Sequence, residues 1–240
     1  MIKISIILPT YNESGNIGKL IKEINQQKSL QIYQKEYIVI DDNSPDNTAN
    51  IVKGLINQGL PIKLFVRKKI RGLASAVALG IKNSTSKNII LMDTDFNHQS
   101  KDIYQLLLPI INNQADLVIG SRYIKGGGMH VTEANFWQFY LSKLGNFFIN
   151  RILLHLPVQE SLSGFVAFKH SLIKAIDQPS IFQGYGDYCI RLLYYTHRLG
   201  YKIREIPVIY GKRQYGKSKS CLIKMITNDL RTAISLCLVK

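Results

Sequence analysis

The chain has 240 residues, of which 46% are hydrophobic and 20% charged, so it is long enough to bury a sizeable core. Its 17 glycines, 7 prolines and 3 cysteines exclude a collagen-like repeat, a disordered chain and a disulfide scaffold. The 31 lysines and arginines exceed the 16 aspartates and glutamates, giving a formal net charge of +15. Such an excess points to an anionic partner, such as a nucleic acid, a phosphorylated metabolite or an acidic membrane.

The excess of basic side chains lies mainly in the second half of the chain. Residues 1–120 contain 14 basic and 10 acidic side chains, whereas residues 121–240 contain 17 and 6. Within residues 198–224, eight basic side chains accompany a single acidic one, Glu205. The first half is therefore close to electrical balance, and the second half is expected to have a cationic surface.

Short β-branched runs alternate with helical periodicity over the first 120 residues. The apolar runs predict strands at 3–8, 37–40, 62–66, 89–92 and 117–119, separated by helices near 16–27, 48–58, 73–83 and 102–112. Runs that are apolar on both faces are typical of a parallel sheet covered by helices. The predicted class is therefore a doubly wound α/β fold.

Polar residues follow four of these strands, at 9–13, 41–46, 93–95 and 121–123. In doubly wound sheets, ligands bind beyond the carboxyl ends of the strands. We therefore expect these four clusters to form one site.

Two helical segments are predicted in the second half. Residues 136–154 combine aromatic and aliphatic side chains with Lys143 and Arg151, which suits either a core helix or a helix in a membrane interface. Residues 220–239 repeat apolar side chains at helical spacing and predict an amphipathic C-terminal helix. This helix is expected to pack on the domain or to lie on a membrane or a partner. The simplest division is one domain over 1–218 and a basic amphipathic helix over 219–240.

The sequence predicts neither a signal peptide nor a transmembrane helix. The apolar run at 4–8 is too short for a signal peptide, and no stretch of about 18 uninterrupted apolar residues predicts a transmembrane helix. The cysteines Cys189, Cys221 and Cys237 are widely spaced, which suits a reducing cytoplasm and offers no metal-binding spacing.

Two aspartates one residue apart, Asp93 and Asp95, follow the fourth predicted strand. Carboxylates so placed can hold a hard cation such as Mg²⁺ or Mn²⁺, which prefer oxygen ligands and often complete their shell with substrate phosphates. A solvated turn is the alternative explanation. Asn97 or His98 could supply a further ligand, although a lone histidine is more often structural.

The second predicted strand ends at another acidic cluster. Asp42 can accept hydrogen bonds from a ribose hydroxyl or a base edge, whereas Asp46 is placed to cap the next helix. Basic residues at 67–71 precede the third helix, where cations and a helix N-terminus can receive a diphosphate. Neither a P-loop motif nor a GxGxxG fingerprint occurs, which disfavours P-loop and dinucleotide-binding enzymes.

Seven short motifs follow one another along the chain. They are Pro-Thr-Tyr-Asn-Glu at 9–13, Asp-Asp-Asn-Ser-Pro-Asp at 41–46, Arg-Gly-Leu at 71–73, Asp-Thr-Asp at 93–95, Gly-Ser-Arg-Tyr at 120–123, Ser-Gly-Phe at 163–165 and Arg-x-x-Gly-x-Ser-Lys at 213–219. In this order the series resembles the inverting family 2 glycosyltransferases with a GT-A fold, of the polyprenol-phosphate (dolichol-phosphate) mannosyltransferase type. The resemblance extends over about residues 3–220.

The resemblance implies a GT-A-like, doubly wound, mostly parallel sheet with helices on both faces and a C-terminal amphipathic helix. It implies a divalent metal cofactor, Mg²⁺ or Mn²⁺, bound by Asp93, Asp95 and Asn97. The nucleotide sugar would be bound by the same two aspartates together with Pro9, Tyr11, Glu13, Asp42 and Arg71. The lipid phosphate would be bound by Arg122, Ser142, Arg213, Ser218 and Lys219, and the catalytic residues would be Asp93, Asp95, Arg122 and Arg213.

The activity implied is transfer of a hexose, with mannose from GDP-mannose favoured, to a polyprenyl or dolichyl phosphate with inversion. Because the attacking phosphate is already an anion, no strong general base is needed, and catalysis rests on positioning and on neutralising the departing nucleoside diphosphate. The partners implied are a nucleotide sugar, a polyprenyl phosphate and the membrane surface, with a membrane-anchoring subunit as a further candidate. The implied location is peripheral, at the cytoplasmic face of the membrane.

Three departures from the family pattern concern the acceptor side. No arginine precedes Ser142, Gly-Phe-Val at 164–166 replaces the usual Gly-Phe-Arg, and Glu-Ser-Leu at 160–162 replaces Asp-x-Thr. They leave open another nucleotide sugar such as UDP-glucose, a glycan acceptor with Asp187 as general base, and a catalytically silent homologue. A nucleic-acid partner is suggested only by the net charge and is not expected.

Overall fold

The computed structural model describes residues 1–129, 136–215 and 222–238. Its strands are β1 (Ile2–Thr10), β2 (Tyr33–Asp41), β3 (Ile62–Val66), β4 (Asn88–Leu91), β5 (Leu117–Ser121), β6 (Gly128–Met129), β7 (Val166–Lys169), β8 (Ile203–Pro207) and β9 (Ile209–Tyr210). The α-helices are α1 (Ile17–Gln26), α2 (Thr48–Asn57), α3 (Leu73–Lys82), α4 (Ile103–Ile111), α5 (Phe136–Phe147), α6 (His170–Ala175), α7 (Gln178–Ile181), α8 (Tyr188–Arg198) and α9 (Leu222–Cys237). Two 3-10 turns (Lys28–Leu30 and Ser100–Asp102) and a π-helix (Phe148–Leu153) complete the described elements.

The central sheet has the strand order β3-β2-β1-β4-β7-β5-β8. All its neighbouring strands are parallel except β7, which runs antiparallel to both β4 and β5. The five strands predicted for the first half are confirmed, and so is the mostly parallel, doubly wound sheet. The sequence analysis did not predict β7, which belongs to the second half of the chain and lies between β4 and β5.

Helices cover both faces of this sheet, as predicted. Ile6 and Leu8 of β1 point into one apolar layer with α1, α2 and α4, whereas Ile7 points into the other layer with α3 and α8. Successive side chains of a strand point to opposite faces, so a strand that is buried on both sides must be apolar throughout. This burial holds the carboxyl ends of β1, β2 and β4 in fixed positions next to one another.

The helix that follows β6 lies largely at the surface. On α5 and the π-helix, Trp137 is 73% exposed and Leu144 is 64% exposed. Exposed apolar side chains continue along the segment, and we call this set the α5 face: Trp137, Leu141, Leu144, Phe148 and Ile152. These exposures show that most of this segment is not a core helix. Helical periodicity alone could not decide this, because it does not say whether an apolar face is covered by other elements.

The C-terminal helix α9 is observed, and it packs on the domain along one side. Ala233 and Leu236 are buried in the layer that contains α8, whereas Ile234 and Leu238 are exposed. None of the helices in the described ranges is long and apolar enough to cross a membrane.

Candidate active site

The loops that follow β1 and β2 are joined by hydrogen bonds. The backbone N–H groups of Asn12, Glu13 and Ser14 donate to the side chains of Ser44 (2.9 Å), Thr48 (3.0 Å) and Asp46 (3.0 Å), respectively. Asp46 also accepts a hydrogen bond from the backbone N–H of Thr48, the first residue of α2 (3.2 Å). The N-cap position itself is occupied by Asn47, which makes no capping hydrogen bond through its side chain, so the prediction that Asp46 caps α2 is wrong by one residue. The two loops therefore form one rigid wall, with Pro9 near the end of β1 and Tyr11, 39% exposed, beside it.

Asp42, which follows β2, is held by the segment before α3. Its Oδ1 accepts a hydrogen bond from Arg67 Nε (2.6 Å), and its Oδ2 accepts one from the backbone N–H of Gly72 (2.8 Å). Gly72 has a φ of 121°, a conformation that L side chains rarely adopt. The sequence assigned the basic run at 67–71 to a diphosphate, but the structure pairs Arg67 with Asp42 and leaves Arg71 exposed beside them.

The two aspartates after β4 lie at the centre of this edge. Asp95 Oδ1 accepts from the backbone N–H of Asn97 (3.0 Å), and its Oδ2 accepts from the Asn97 side-chain amide (2.9 Å). Arg213, from the far end of the chain, also donates to Asp95 Oδ2 through Nη2, while its Nη1 lies 3.9 Å from Glu13 Oε1. The fold thus brings together four predicted site residues from three distant segments of the chain: Glu13, Asp95, Asn97 and Arg213.

A close backbone approach fixes the segment that carries Arg213. A Cβ at Gly211 would lie 2.4 Å from the carbonyl oxygen of Phe96, and Gly211 N–H donates to the carbonyl of Asn97 (2.9 Å). Phe96 itself has a φ of 67°, an uncommon conformation for a bulky residue. Further along, the ring of Tyr215 lies so close to Gly15 that a Cβ there would be 2.5 Å from Tyr215 Cγ. Residues 211–215 therefore fold back onto the loops after β1 and β4.

Ser218 and Lys219, which the resemblance places in the phosphate site, lie outside the described residues.

Removal from water disfavours the charged forms of both aspartates after β4. It raises the pKa of Asp93 above its ordinary value, against the opposing effect of Arg213, although this side chain is still 41% exposed. Burial also raises the pKa of Asp95, and the charge of Asp93 raises it further. Two carboxylates in this state are suited to a hard divalent cation, which would relieve their repulsion.

In the described part of the chain, no group of three or more histidine, cysteine, aspartate or glutamate side chains could hold a metal. A cation at Asp93 and Asp95 would therefore take its remaining ligands from substrate oxygens or water, as Mg²⁺ commonly does.

His98 is buried next to Asp93 and contacts its backbone. Its Nδ1 accepts a hydrogen bond from the backbone N–H of Asp93 (2.9 Å), its Nε2 lies 3.1 Å from Tyr210 Oη, and its ring stacks on Phe165 at 4.8 Å. Burial lowers the pKa of His98 to about 4, so the ring is neutral and its proton resides on Nε2. Both ring nitrogens are thus occupied, which favours the structural alternative for this histidine over the metal-ligand one.

Arg122, at the end of β5, forms a buried ion pair with Glu160. Glu160 accepts hydrogen bonds from Arg122 Nε (2.7 Å), from its backbone N–H (2.6 Å) and from its Nη2. The guanidinium lies 4.5 Å from the ring centroid of Tyr210 and 5.0 Å from that of Tyr123. Tyr123 in turn donates to Ser142 Oγ (2.8 Å). The sequence analysis noted Glu160 only within the segment that replaces the family's Asp-x-Thr, and it missed Glu160 and Tyr210 as partners of Arg122.

Asp187, the candidate general base for a glycan acceptor, is buried at the start of α8. Its Oδ1 accepts from the backbone N–H of Tyr185 (2.8 Å), and its Oδ2 accepts from Thr232 Oγ1 (3.0 Å) and Arg191 Nη2 (3.2 Å). Both oxygens therefore have partners, and the carboxylate ties α8 to α9.

The fold and this edge of acidic residues define a GT-A-like glycosyltransferase architecture. Residues 5–176 match the family model described as glycosyl transferase family 2, which is more than half of the chain. The chain belongs to that family.

Three curated relatives are similar to this chain over 90% of its length. A dolichol-phosphate mannosyltransferase of Pyrococcus furiosus is 33% identical over 222 residues, and one of Mycosarcoma maydis is 31% identical over 222 residues. An undecaprenyl-phosphate mannosyltransferase of Micrococcus luteus is 28% identical over 221 residues. The chain spans 59% of the Pyrococcus relative, 72% of the Mycosarcoma relative and 87% of the Micrococcus relative.

Solved structures share the fold at low sequence identity. Glucosyl-3-phosphoglycerate synthase from Mycobacterium tuberculosis, in complex with phosphoglyceric acid, has a TM-score of 0.70 and 22% identity, covering 99% of this chain and 81% of that chain. The same enzyme in complex with Mn²⁺, UDP-glucose and phosphoglyceric acid has a TM-score of 0.69 and 21% identity, covering 99% and 80%. These likenesses establish the fold.

Proposed function

We propose that this chain transfers a hexose from a nucleotide sugar to a polyprenyl phosphate with inversion. We further propose that the hexose is mannose and that its donor is GDP-mannose. The observation that carries the proposal is the Asp93–Asp95 pair at the end of β4, faced by Arg213 from the C-terminal half. The names of the curated relatives supply the sugar and the class of acceptor.

The two aspartates fit Mg²⁺ or Mn²⁺ as the cofactor. When bound, such an ion neutralises the charge that accumulates on the departing nucleoside diphosphate. Asn97 donates two hydrogen bonds to Asp95, so its role in the metal site is to orient that carboxylate. A solved structure with the same fold contains Mn²⁺ together with UDP-glucose, which supports a divalent ion as the cofactor.

The nucleotide part of the donor would lie against the wall formed by the loops after β1 and β2. Pro9, Tyr11, Glu13 and Asp42 line this wall, and Arg71 precedes the N-terminus of α3. The wall is held by hydrogen bonds between its own residues, so it is organised before the donor binds.

The chemistry requires one bond exchange. An oxygen of the lipid phosphate attacks the anomeric carbon of the sugar, and the bond from that carbon to the diphosphate oxygen breaks, with its electron pair leaving on the nucleoside diphosphate. No proton needs to be removed from an anionic phosphate, so no general base is required, and Asp187 joins α8 to α9 through its hydrogen bonds. Arg213 is placed to stabilise the diphosphate, with Ser218 and Lys219 following on the same segment, and Arg122 and Ser142 are proposed on the acceptor side.

We further propose that the enzyme works at the cytoplasmic face of a membrane, as a domain over 1–218 with a basic helix over 219–240 and with an anchoring subunit as a candidate partner. The α5 face supports this location, because exposed aromatic and aliphatic side chains next to Lys143 and Arg151 suit a membrane interface.

The test is a transfer assay that combines GDP-mannose, UDP-glucose or UDP-N-acetylglucosamine with a short polyprenyl phosphate, with and without Mn²⁺. We expect transfer from GDP-mannose that needs the metal. Transfer from none of the donors, or transfer that is indifferent to EDTA, would overturn the proposal.

A further inference from the structure

A cavity of about 260 Å³ opens beside Tyr123, the residue that follows Arg122. It lies between the helical segment of residues 136–153 and the loop that precedes Glu160. Six residues line it: Tyr123, Lys143, Phe147, Arg151, Val158 and Gln159. None of the thirteen residues that the sequence proposed for the site is among them.

The lining combines an apolar floor with two cations. Tyr123 and Val158 are buried, whereas Lys143 and Arg151 are exposed. Lys143, Phe147 and Arg151 recur every fourth residue, so the helical segment presents them towards the same side. Among the residues that the structure describes, no acidic side chain forms an ion pair with Lys143 or Arg151.

The cavity adjoins the proposed acceptor residues. Tyr123 follows Arg122 and hydrogen-bonds to Ser142, and Gln159 precedes Glu160. The charge of Arg122 is already balanced by Glu160, so it leaves little net attraction for a dianion. Lys143 and Arg151 line the cavity without an acidic partner in the described ranges, so their charges are available to an anion that binds there.

We propose that this cavity binds the phosphate and the first isoprene unit of the polyprenyl phosphate acceptor, with Lys143 and Arg151 on the phosphate and Phe147 and Val158 against the isoprene. The inference rests on the proposed function and deepens it. A cavity of about 260 Å³ is smaller than the roughly 300–1,000 Å³ of pockets that enclose a whole drug-sized ligand, so it suits only the head of a long lipid. The rest of the chain would leave over the α5 face, where Leu144 and Phe148 directly follow Lys143 and Phe147.

The experiment measures binding of farnesyl phosphate to the full chain by calorimetry, without any donor. In the variant Lys143→Glu/Arg151→Glu we expect the dissociation constant to rise about 100-fold, since each charge-assisted hydrogen bond is worth roughly tenfold or more. The charge-keeping variant Lys143→Arg/Arg151→Lys should bind within about threefold of the wild type, because both cations remain. The control Lys19→Glu/Lys53→Glu reverses two exposed lysines of α1 and α2 and should bind like the wild type. Circular dichroism spectra check that each variant is folded.

Two further ligands test whether the phosphate and the isoprene chain both contribute to the affinity. Farnesol and inorganic phosphate should each bind far more weakly than farnesyl phosphate, because each offers only half of the contacts. An unchanged dissociation constant in the charge-reversed variant would overturn the proposal. It would also be overturned if that variant lost affinity only for anionic vesicles that lack farnesyl phosphate, since the two cations would then serve the membrane surface.

The transfer assay distinguishes this inference from the proposed function. If farnesyl phosphate binds through the two cations but receives no sugar from any donor, the proposed function fails and the cavity assignment stands. If transfer proceeds with an unchanged KM for farnesyl phosphate in the charge-reversed variant, the cavity assignment fails and the function stands.

Discussion

Two regions of the molecule differ in how many of their side chains have partners within the domain. The first is the acidic edge of the sheet, formed by residues 9–16, 41–48 and 93–98, and the second is the α5 face. At the acidic edge, Asp42, Asp46 and Asp95 each accept hydrogen bonds from named donors within the domain. On the α5 face, large apolar side chains are exposed and the neighbouring cations Lys143 and Arg151 have no acidic partner in the described ranges.

This difference indicates two kinds of ligand. A preorganised polar edge suits a small, densely charged molecule whose position must be exact to a fraction of an ångström. An exposed apolar face with unpaired cations suits an amphiphile or a lipid surface, because burying it requires a partner that supplies both hydrocarbon and negative charge. The Arg122–Glu160 pair lies between the two regions.

The largest expected effect concerns the centre of the acidic edge. Asp95→Asn keeps the shape of the side chain but removes its charge, so Arg213 loses its ionic partner and the proposed metal would lose a charged ligand. We expect kcat for sugar transfer to fall by about 1,000-fold or more. The matched control is Asp177→Asn at an exposed position, which should retain wild-type kcat. An Asp95→Asn enzyme within tenfold of the wild type would remove the acidic edge from the chemistry.

The second prediction concerns the boundary between the two regions. Glu160→Gln leaves the guanidinium of Arg122 buried without its counter-charge, and removing one partner of a buried pair costs about 3 kcal/mol or more in the free energy of unfolding. Urea denaturation measures this loss. The double variant Arg122→Met/Glu160→Leu should recover most of it, because no charge is then left unpaired. Equal instability of the single and double variants would show that shape, and not charge, holds this boundary.

The third prediction tests whether the C-terminal half completes the acidic edge. Arg213→Ala should lower kcat about 100-fold, because one cation facing the diphosphate is lost. Lys212→Ala, at the exposed neighbouring position, is the control and should change kcat little. If both variants behave alike, Arg213 acts only as part of a general basic surface.

The smallest expected effect concerns the attachment of α9. Burial and the nearby charge of Asp187 raise the pKa of Asp229 to about 7, from an ordinary value of 3.8. The folded state therefore binds this proton more tightly than the unfolded chain does. The stabilisation is fully present below about pH 4 and is lost as the pH rises towards 7.

Asp229→Asn removes this dependence while keeping the side-chain shape. At pH 8 the variant should be more stable than the wild type by about 2 kcal/mol, with a smaller difference near pH 4. Urea denaturation at both pH values measures the free energy of unfolding. Asp187, whose charge acts on Asp229, and Arg191, which is paired with Asp187, remain unchanged in this comparison. A difference of equal size at both pH values would contradict the titration of Asp229.

The acidic edge could be predicted from the sequence, and much of the α5 face could not. Continuous apolar runs and the polar residues at their ends are local signals, so the strands β1 to β5 and the clusters at 9–13, 41–46 and 93–95 were all predictable. Pairs between distant segments were not, because Asp42–Arg67 and Arg122–Glu160 depend on how the chain crosses the sheet. The short antiparallel strand β7 was missed for the same reason.

We propose that the acidic edge and the α5 face act in one reaction. The most direct test follows transfer of radiolabelled mannose from GDP-mannose to farnesyl phosphate with Mn²⁺, and determines the anomeric configuration of the product. We expect a β-linked mannosyl phosphodiester that is formed by the wild type and abolished both by EDTA and by Asp95→Asn. An α-linked product, or the same yield with EDTA and with Asp95→Asn, would contradict it.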